Sequence, residues 1–83
     1  MKHTTGRVRI IDAMAKPGAY ARPDLSVTGF PPQIYRIKPE MVQMFSMAKM
    51  IVEAKPPKHE GALGYVWVIT DKGREWLKQA ANA

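Results

Sequence analysis

The 83-residue chain contains no cysteine, and its runs of apolar residues are short. Without thiols, the sequence excludes a disulfide framework, thiolate zinc sites and cysteine nucleophiles. The longest apolar run has five residues, far below the ~20 that cross a bilayer. The first ten residues also lack the apolar core of a signal peptide. We therefore expect a soluble protein in the cytoplasm, without a membrane partner.

Acidic residues are also scarce in this chain. Seven Asp and Glu residues stand against 13 Lys and Arg residues, which leaves a formal net charge of +6 at pH 7. A surplus of this size points to an anionic partner such as nucleic acid or lipid headgroups, although it also aids solubility. The length holds one small domain, so we expect a single domain over residues 1–83.

Patterns typical of catalytic and metal sites are missing. The acidic residues are scattered, without a spacing that argues for a carboxylate pair, and His3 and His59 are isolated in sequence. The chain contains no HExxH, HxxxH or GxGxxG string. We therefore expect no enzyme, no catalytic residues, no metal, no cofactor and no small-molecule ligand.

Three segments have the apolar spacing of amphipathic helices, namely residues 5–15, 39–50 and 71–80. Thr4 or Thr5 can cap the first, and Thr70 can cap the last, by accepting a hydrogen bond from a backbone amide. In the middle segment four methionines follow one another at a spacing of three, and this repeat drifts around a helix. We therefore expect Met47 or Met50 to be exposed or to lie in an interface.

Residues 50–54 and 64–70 are rich in β-branched and aromatic side chains, which is typical of strands. Residues 55–63 lie between them and contain two prolines and a glycine. These three stretches predict an antiparallel hairpin with a long polar tip rather than a tight turn.

The stretch of residues 19–38 is less regular. Pro23 suits the first turn of a short helix, and Asp24 beside it would favour the helix dipole. Gly29 then fits a helix end or a turn. Lys38 precedes a proline and is pushed away from helical angles, so we predict a break or a kink there.

The order of these elements, together with one motif near the C-terminus, resembles the winged helix-turn-helix family of bacterial and phage DNA-binding regulators. The motif lies in residues 64–79, GYVWVITDKGREWLKQ. It is similar to the segment of these regulators in which the second wing strand ends and the next helix begins. The matching positions are Ile69, Thr70, Gly73, Arg74 and Leu77.

A second, less specific match covers residues 22–36, RPDLSVTGFPPQIYR. It is similar to a helix-turn-helix stretch of the same family. The matching positions are Pro23, Leu25, Thr28, Gly29 and Pro31. Together with the first helix, the resemblance covers nearly the whole chain.

The resemblance implies an α+β, mostly helical fold with a three-helix core, a two-stranded antiparallel wing and a C-terminal helix. It also implies that one helix enters the major groove of double-stranded DNA while the wing tip contacts the backbone or the minor groove. Between Gly29 and the first wing strand this chain has more residues than a compact recognition helix needs, and Pro39 falls among them. The recognition helix is therefore residues 32–38, residues 39–50, or one kinked helix across both.

The resemblance makes several polar residues candidates for DNA contacts. Those on the first alternative for the recognition helix are Gln33, Tyr35, Arg36 and Lys38. Those on the second are Gln43, Ser46 and Lys49. Arginine can pair with guanine and glutamine with adenine in the major groove. On the wing, Lys55, Lys58 and His59 are candidates for phosphate contacts.

The function implied by this resemblance is sequence-specific binding of double-stranded DNA, in the role of a transcriptional regulator. A homodimer would suit that role, because one copy reads few base pairs and paired half-sites add affinity. The same fold also serves as a protein-binding module, such as a phage-type inhibitor or an assembly adaptor. Exposed methionines on the weakly charged residues 39–50 favour this alternative, whereas the net charge and the tip lysines favour DNA.

Overall fold

A computed structural model describes residues 1–28 and 36–81 of the chain and shows a small α+β arrangement. The helices are Thr5–Met14 (α1), Pro39–Met47 (α2) and Asp71–Ala81 (α3), and the strands are Ile51–Ala54 (β1) and Val66–Ile69 (β2). A 3-10 helix, Lys58–Leu63, lies between the two strands. The coarse class predicted from the sequence, helices with a two-stranded antiparallel sheet, is confirmed.

The first helix forms where the apolar spacing predicts it. The Thr4 side chain accepts a hydrogen bond from the Arg7 amide at 3.4 Å, which caps the start of α1. The helix ends at Met14, three residues before Pro17. Its inner face carries buried Ile11 and Met14, which anchor one side of the core.

Residues 20–28 form a short hairpin, so the predicted helix starting at Pro23 is wrong. The Leu25 amide donates to the Arg22 carbonyl at 2.8 Å, which closes a β-turn with Pro23 in its second position. The fixed φ of proline suits this position as well as a helix start, which explains the ambiguity. Leu25 has a φ of 70°, a left-handed angle that a right-handed helix excludes.

The predicted break before α2 is confirmed. Lys38 is extended, with φ −69° and ψ 140°, and Pro39 opens the helix. Arg36 lies in a β-bridge with Ser26. A single kinked helix across residues 32–50 is therefore wrong, and residues 36–38 of the first alternative are not helical.

Helix α2 turns Val42 and Phe45 into the core and leaves Met47 75% exposed. The prediction that Met47 or Met50 is exposed is thus confirmed for Met47. Met50 is buried, because the chain leaves the helix and turns at Lys49, where φ is 64°.

The two strands pair as an antiparallel hairpin, as predicted, with Ile51 opposite Ile69. Ala21 extends the sheet on the other side of β2. Its amide donates to the Trp67 carbonyl, and the Trp67 amide donates back to the Ala21 carbonyl, both at 2.9 Å. The hairpin of residues 20–28 therefore lies beside β2, and β1 lies on the opposite edge.

Helix α3 docks on the turn between α2 and β1. The Thr70 hydroxyl accepts from the Gly73 amide at 3.1 Å, so the predicted cap is confirmed. The same hydroxyl donates to the Lys49 carbonyl at 2.6 Å. A Cβ on Gly73 would overlap the Met50 carbonyl oxygen and lie 2.9 Å from Cγ1 of Ile69. Glycine at this position is therefore what allows α3 to approach.

The core lies between the three helices and the sheet. Its buried apolar side chains are Ile11, Ala13, Met14, Ala21, Val27, Ile37, Val42, Phe45, Met50, Ile51 and Trp76. The Trp76 indole also donates to the Met1 carbonyl at 3.0 Å, so the N-terminal residues pack over α3. None of the helices in the described ranges has the length and apolar character needed to cross a membrane.

We predict that Gly73→Ala destabilises the fold by about 1–3 kcal/mol, the usual cost of forcing an extra methyl group into a packed contact. Urea denaturation measures the loss. Gly61→Ala is the matched control, since a Cβ at Gly61 meets nothing within 4 Å. Equal stability of the two variants would contradict the close contact between α3 and the turn.

Candidate functional site

The candidate site begins at the tip, residues 55–63, which was predicted as a long polar tip and contains a 3-10 helix. Its 3-10 helix places the Glu60 side chain against residues 20–22. The Tyr20 hydroxyl donates to Oε2 of Glu60, and Nε of Arg22 donates to Oε1 at 2.6 Å. The middle of the tip is thus fastened to the neighbouring hairpin.

The hairpin turn connects the tip to Arg36. Nη1 of Arg22 lies 3.5 Å from the Ser26 hydroxyl. Asp24, in the same turn, forms an ion pair with Arg36, whose Nη2 lies 3.9 Å from Oδ2 of Asp24. These contacts connect Arg36, a residue predicted for the recognition helix, through the hairpin turn to Glu60 in the middle of the tip.

We use the name tip–turn surface for the charged residues of the tip and the turn, together with Arg36. They are Arg22, Asp24, Arg36, Lys55, Lys58, His59 and Glu60. The surface holds four Arg and Lys residues and two acidic residues, so it is positive even with neutral histidine. Most of the exposed charged groups are cationic: the side chain of Arg36 is 64% exposed, Lys55 and Lys58 are exposed, and the one exposed anion is Asp24 at 56%. The Glu60 side chain is only 17% exposed, so one of the two carboxylates is turned inward.

Hydrogen bonds from Ser26 lower the pKa of Asp24 below its usual range. The Ser26 hydroxyl donates to Oδ1 of Asp24 at 2.6 Å, and the Ser26 amide donates to the same oxygen at 3.0 Å. Both bonds favour the charged carboxylate. The positive charges of Arg36 and Arg22 act in the same direction, while partial burial opposes them. The turn therefore carries a carboxylate close enough to feel the positive charges of both Arg36 and Arg22.

The remaining residues predicted for the recognition helix lie in different parts of the chain. Gln33 and Tyr35 lie outside the described residues. Lys38 is exposed and lies directly before α2, two positions after Arg36 of the tip–turn surface. Lys49 lies beyond the far end of α2, a helix roughly 14 Å long at 1.5 Å per residue.

The exposed face of α2 carries little positive charge. Gln43 is exposed, and the half-buried Ser46 donates its hydroxyl hydrogen bond to the Gln43 carbonyl at 3.0 Å. Glu40, Gln43 and Met47 form the outward stripe at helical spacing. The structure therefore connects the tip to the hairpin of residues 20–28 through Glu60, whereas Gln43, Ser46 and Lys49 make no hydrogen bond or ion pair with the tip in the described parts of the chain.

The residues that sequence reasoning missed are Tyr20, Arg22 and Glu60. The sequence gives little indication that these residues meet, because the two loops that carry them are about 40 positions apart. Opposite charges at Arg22 and Glu60 could pair with many other groups, and only the Ala21–Trp67 pairing brings these two together. In the described ranges, no group of three or more His, Asp and Glu side chains is placed to hold a metal ion.

Comparison with known proteins identifies no relative of this chain. No family model matches it, no curated protein is significantly similar in sequence, and no solved structure is significantly similar. The functional argument therefore depends on the charges and contacts of the chain itself.

We predict that Asp24→Asn destabilises the protein at neutral pH by less than about 1 kcal/mol, because the carboxylate is more than half exposed and solvent screens its charge. The pKa of folded Asp24 lies below its ordinary value of 3.8. Its contribution is therefore full above that value and is lost as the pH falls through the folded pKa. Urea denaturation of both proteins near pH 7 and near pH 2 measures this. A stability gap that widens on acidification would contradict it.

Proposed function

We propose that this protein is a small, sequence-specific double-stranded DNA-binding protein with a winged-helix layout, acting as a transcriptional regulator. The single observation that carries the proposal is the attachment of the tip, with its exposed Lys55 and Lys58, to the hairpin turn that forms an ion pair with exposed Arg36. Cations grouped in this way neutralise phosphates and release counterions, which supplies affinity for any duplex. A regulator of this kind works in the cytoplasm, where bacterial and phage DNA lies.

Two elements support the winged-helix layout within this proposal. The hairpin of β1 and β2 corresponds to the wing, and α2, which directly precedes β1, corresponds to the recognition helix. Lys38 at the start of α2 and Arg36 before it place positive charge at the helix N-terminus. Gln43 and Ser46 are the polar side chains of α2 that would face base edges in the major groove.

We predict that the wild-type protein binds random-sequence duplex DNA with a micromolar Kd, on the order of other nonspecific complexes. With about four phosphate contacts, the slope of log affinity against log salt is near −3.6. Fluorescence anisotropy over a salt series measures both quantities. A flat salt response, or no binding at low salt, would remove the DNA proposal.

A charge-matched pair of variants tests which surface is used. Lys55→Ala plus Lys58→Ala should weaken binding to all sequences alike and reduce the salt slope by about 1.8, the share of two phosphate contacts. Lys72→Ala plus Lys78→Ala removes the same charge from exposed positions on α3 and should change binding little. Equal losses in the two variants would show that the tip has no special role.

Arg36 is the side chain proposed to read a base. Arg36→Ala should change the preferred sequence, and Arg36→Lys should also lose the preference while keeping most of the affinity. The reason is that only the planar guanidinium pairs with guanine through two parallel hydrogen bonds. Selection of bound sites from a random duplex library measures the preference. Unchanged site selection by both variants would assign Arg36 to backbone contacts instead.

The outward stripe of α2 favours a second candidate function, a protein-binding module. Met47 is 75% exposed and, with Glu40, Gln43, Met44 and Ala48, lines a surface hollow of about 500 Å³. Flexible thioethers suit adaptable apolar contacts. Failure of the wild-type protein to bind duplex DNA at low salt would favour this function.

A further inference from the structure

Glu60 fastens the tip to the hairpin of residues 20–28. Its two carboxylate oxygens accept hydrogen bonds from two different side chains, the Tyr20 hydroxyl and Nε of Arg22. We call these three residues the Glu60 latch. The neighbouring side chains are exposed: His59 is 75% exposed, although its Nε2 lies 3.4 Å from the Tyr20 hydroxyl, and Lys58 is exposed.

Hydrogen bonds hold the part of the latch that lies in the hairpin of residues 20–28. The Tyr20 amide donates to the Thr28 hydroxyl at 2.9 Å, and Ala21 is bridged to Trp67 of β2. The Arg22 guanidinium carbon lies 5.6 Å from the centre of the Tyr20 ring, so the two donors also contact each other. The latch therefore joins the tip to the sheet as well as to the hairpin turn.

We propose that Glu60 is a positioning residue for DNA binding, which holds the tip so that Lys55 and Lys58 meet the phosphates in a preformed arrangement. This inference rests on the proposed function. Ordering a loop and its lysine side chains on binding lowers affinity, and a tip that is already fastened avoids most of that cost.

The sign of the effect separates this role from simple electrostatics. A carboxylate on a phosphate-binding surface repels DNA, so its removal should tighten binding if charge alone mattered. Loss of Glu60 would also free Arg22 to contact phosphate. Weaker binding after removal of Glu60 is therefore the signature of the latch.

Two variants open the latch, and each has a matched control in this chain. Glu60→Ala removes the acceptor, and its control is Glu53→Ala, an exposed acid on β1 with no ion pair in the described parts of the chain. Tyr20→Phe removes one donor without changing any charge. Its control is Tyr65→Phe, because the Tyr65 hydroxyl makes no hydrogen bond within residues 1–28 and 36–81.

Fluorescence anisotropy with a random-sequence duplex at fixed salt measures affinity. We expect Glu60→Ala and Tyr20→Phe to raise the Kd about fivefold, on the order of the cost of ordering one or two side chains. Tyr65→Phe should match the wild type, and Glu53→Ala should match it or bind more tightly. Hydrogen exchange gives a second readout: amides of residues 58–63 should exchange faster in both latch variants, while those of α1 and α3 stay protected.

Two outcomes overturn the inference, and they differ in what they say about the proposed function. If the wild type binds duplex DNA and both latch variants bind as well or better, Glu60 does not position the tip and the DNA proposal stands. If the wild type does not bind duplex DNA at low salt, the proposed function and the positioning role fall together.

Discussion

The close approach of α3 to the turn between α2 and β1 is the contact on which the rest of the fold depends. One hydroxyl, that of Thr70, both caps α3 and holds the Lys49 carbonyl, so a helix start and a turn share one hydrogen-bonding group. Gly73 leaves room for the Met50 carbonyl. Because β1 leaves this turn and β2 runs into this cap, the contact fixes both strands of the hairpin and therefore the direction in which the tip extends.

Long-range pairing at the other edge of β2 then decides where the tip ends. Ala21 hydrogen-bonds to Trp67, which lays the hairpin of residues 20–28 beside the sheet within reach of Glu60. Arg22 forms an ion pair with Glu60, and Asp24 forms one with Arg36. The tip–turn surface therefore depends on strand pairing, which brings the hairpin turn beside the 3-10 helix that carries Lys58, His59 and Glu60.

Periodic segments and capping residues made α1, α2 and α3 predictable from sequence, since each depends on neighbours a few positions apart. The pair of β1 and β2 was predictable because two β-rich stretches flank a single polar segment. Pro23 was misread because its fixed φ suits a helix start and a β-turn equally, and the choice is made by Leu25 in a left-handed conformation. The Glu60 latch could not be predicted, because its partners are brought together only by the Ala21–Trp67 pairing. Structure that depends on residues close together in sequence could be predicted, whereas the pairing of Ala21 with Trp67 could not.

The motif that carries the resemblance to winged-helix regulators has a structural explanation in this chain. Thr70 caps α3, Gly73 allows the close approach, Arg74 donates to the Ala15 carbonyl at 3.2 Å, and Leu77 packs against the core. All four residues maintain the scaffold, so the motif by itself supports an arrangement of helices and strands rather than an affinity for DNA. The case for DNA therefore depends on side chains outside the motif, the cations of the tip–turn surface, whose positions the scaffold sets.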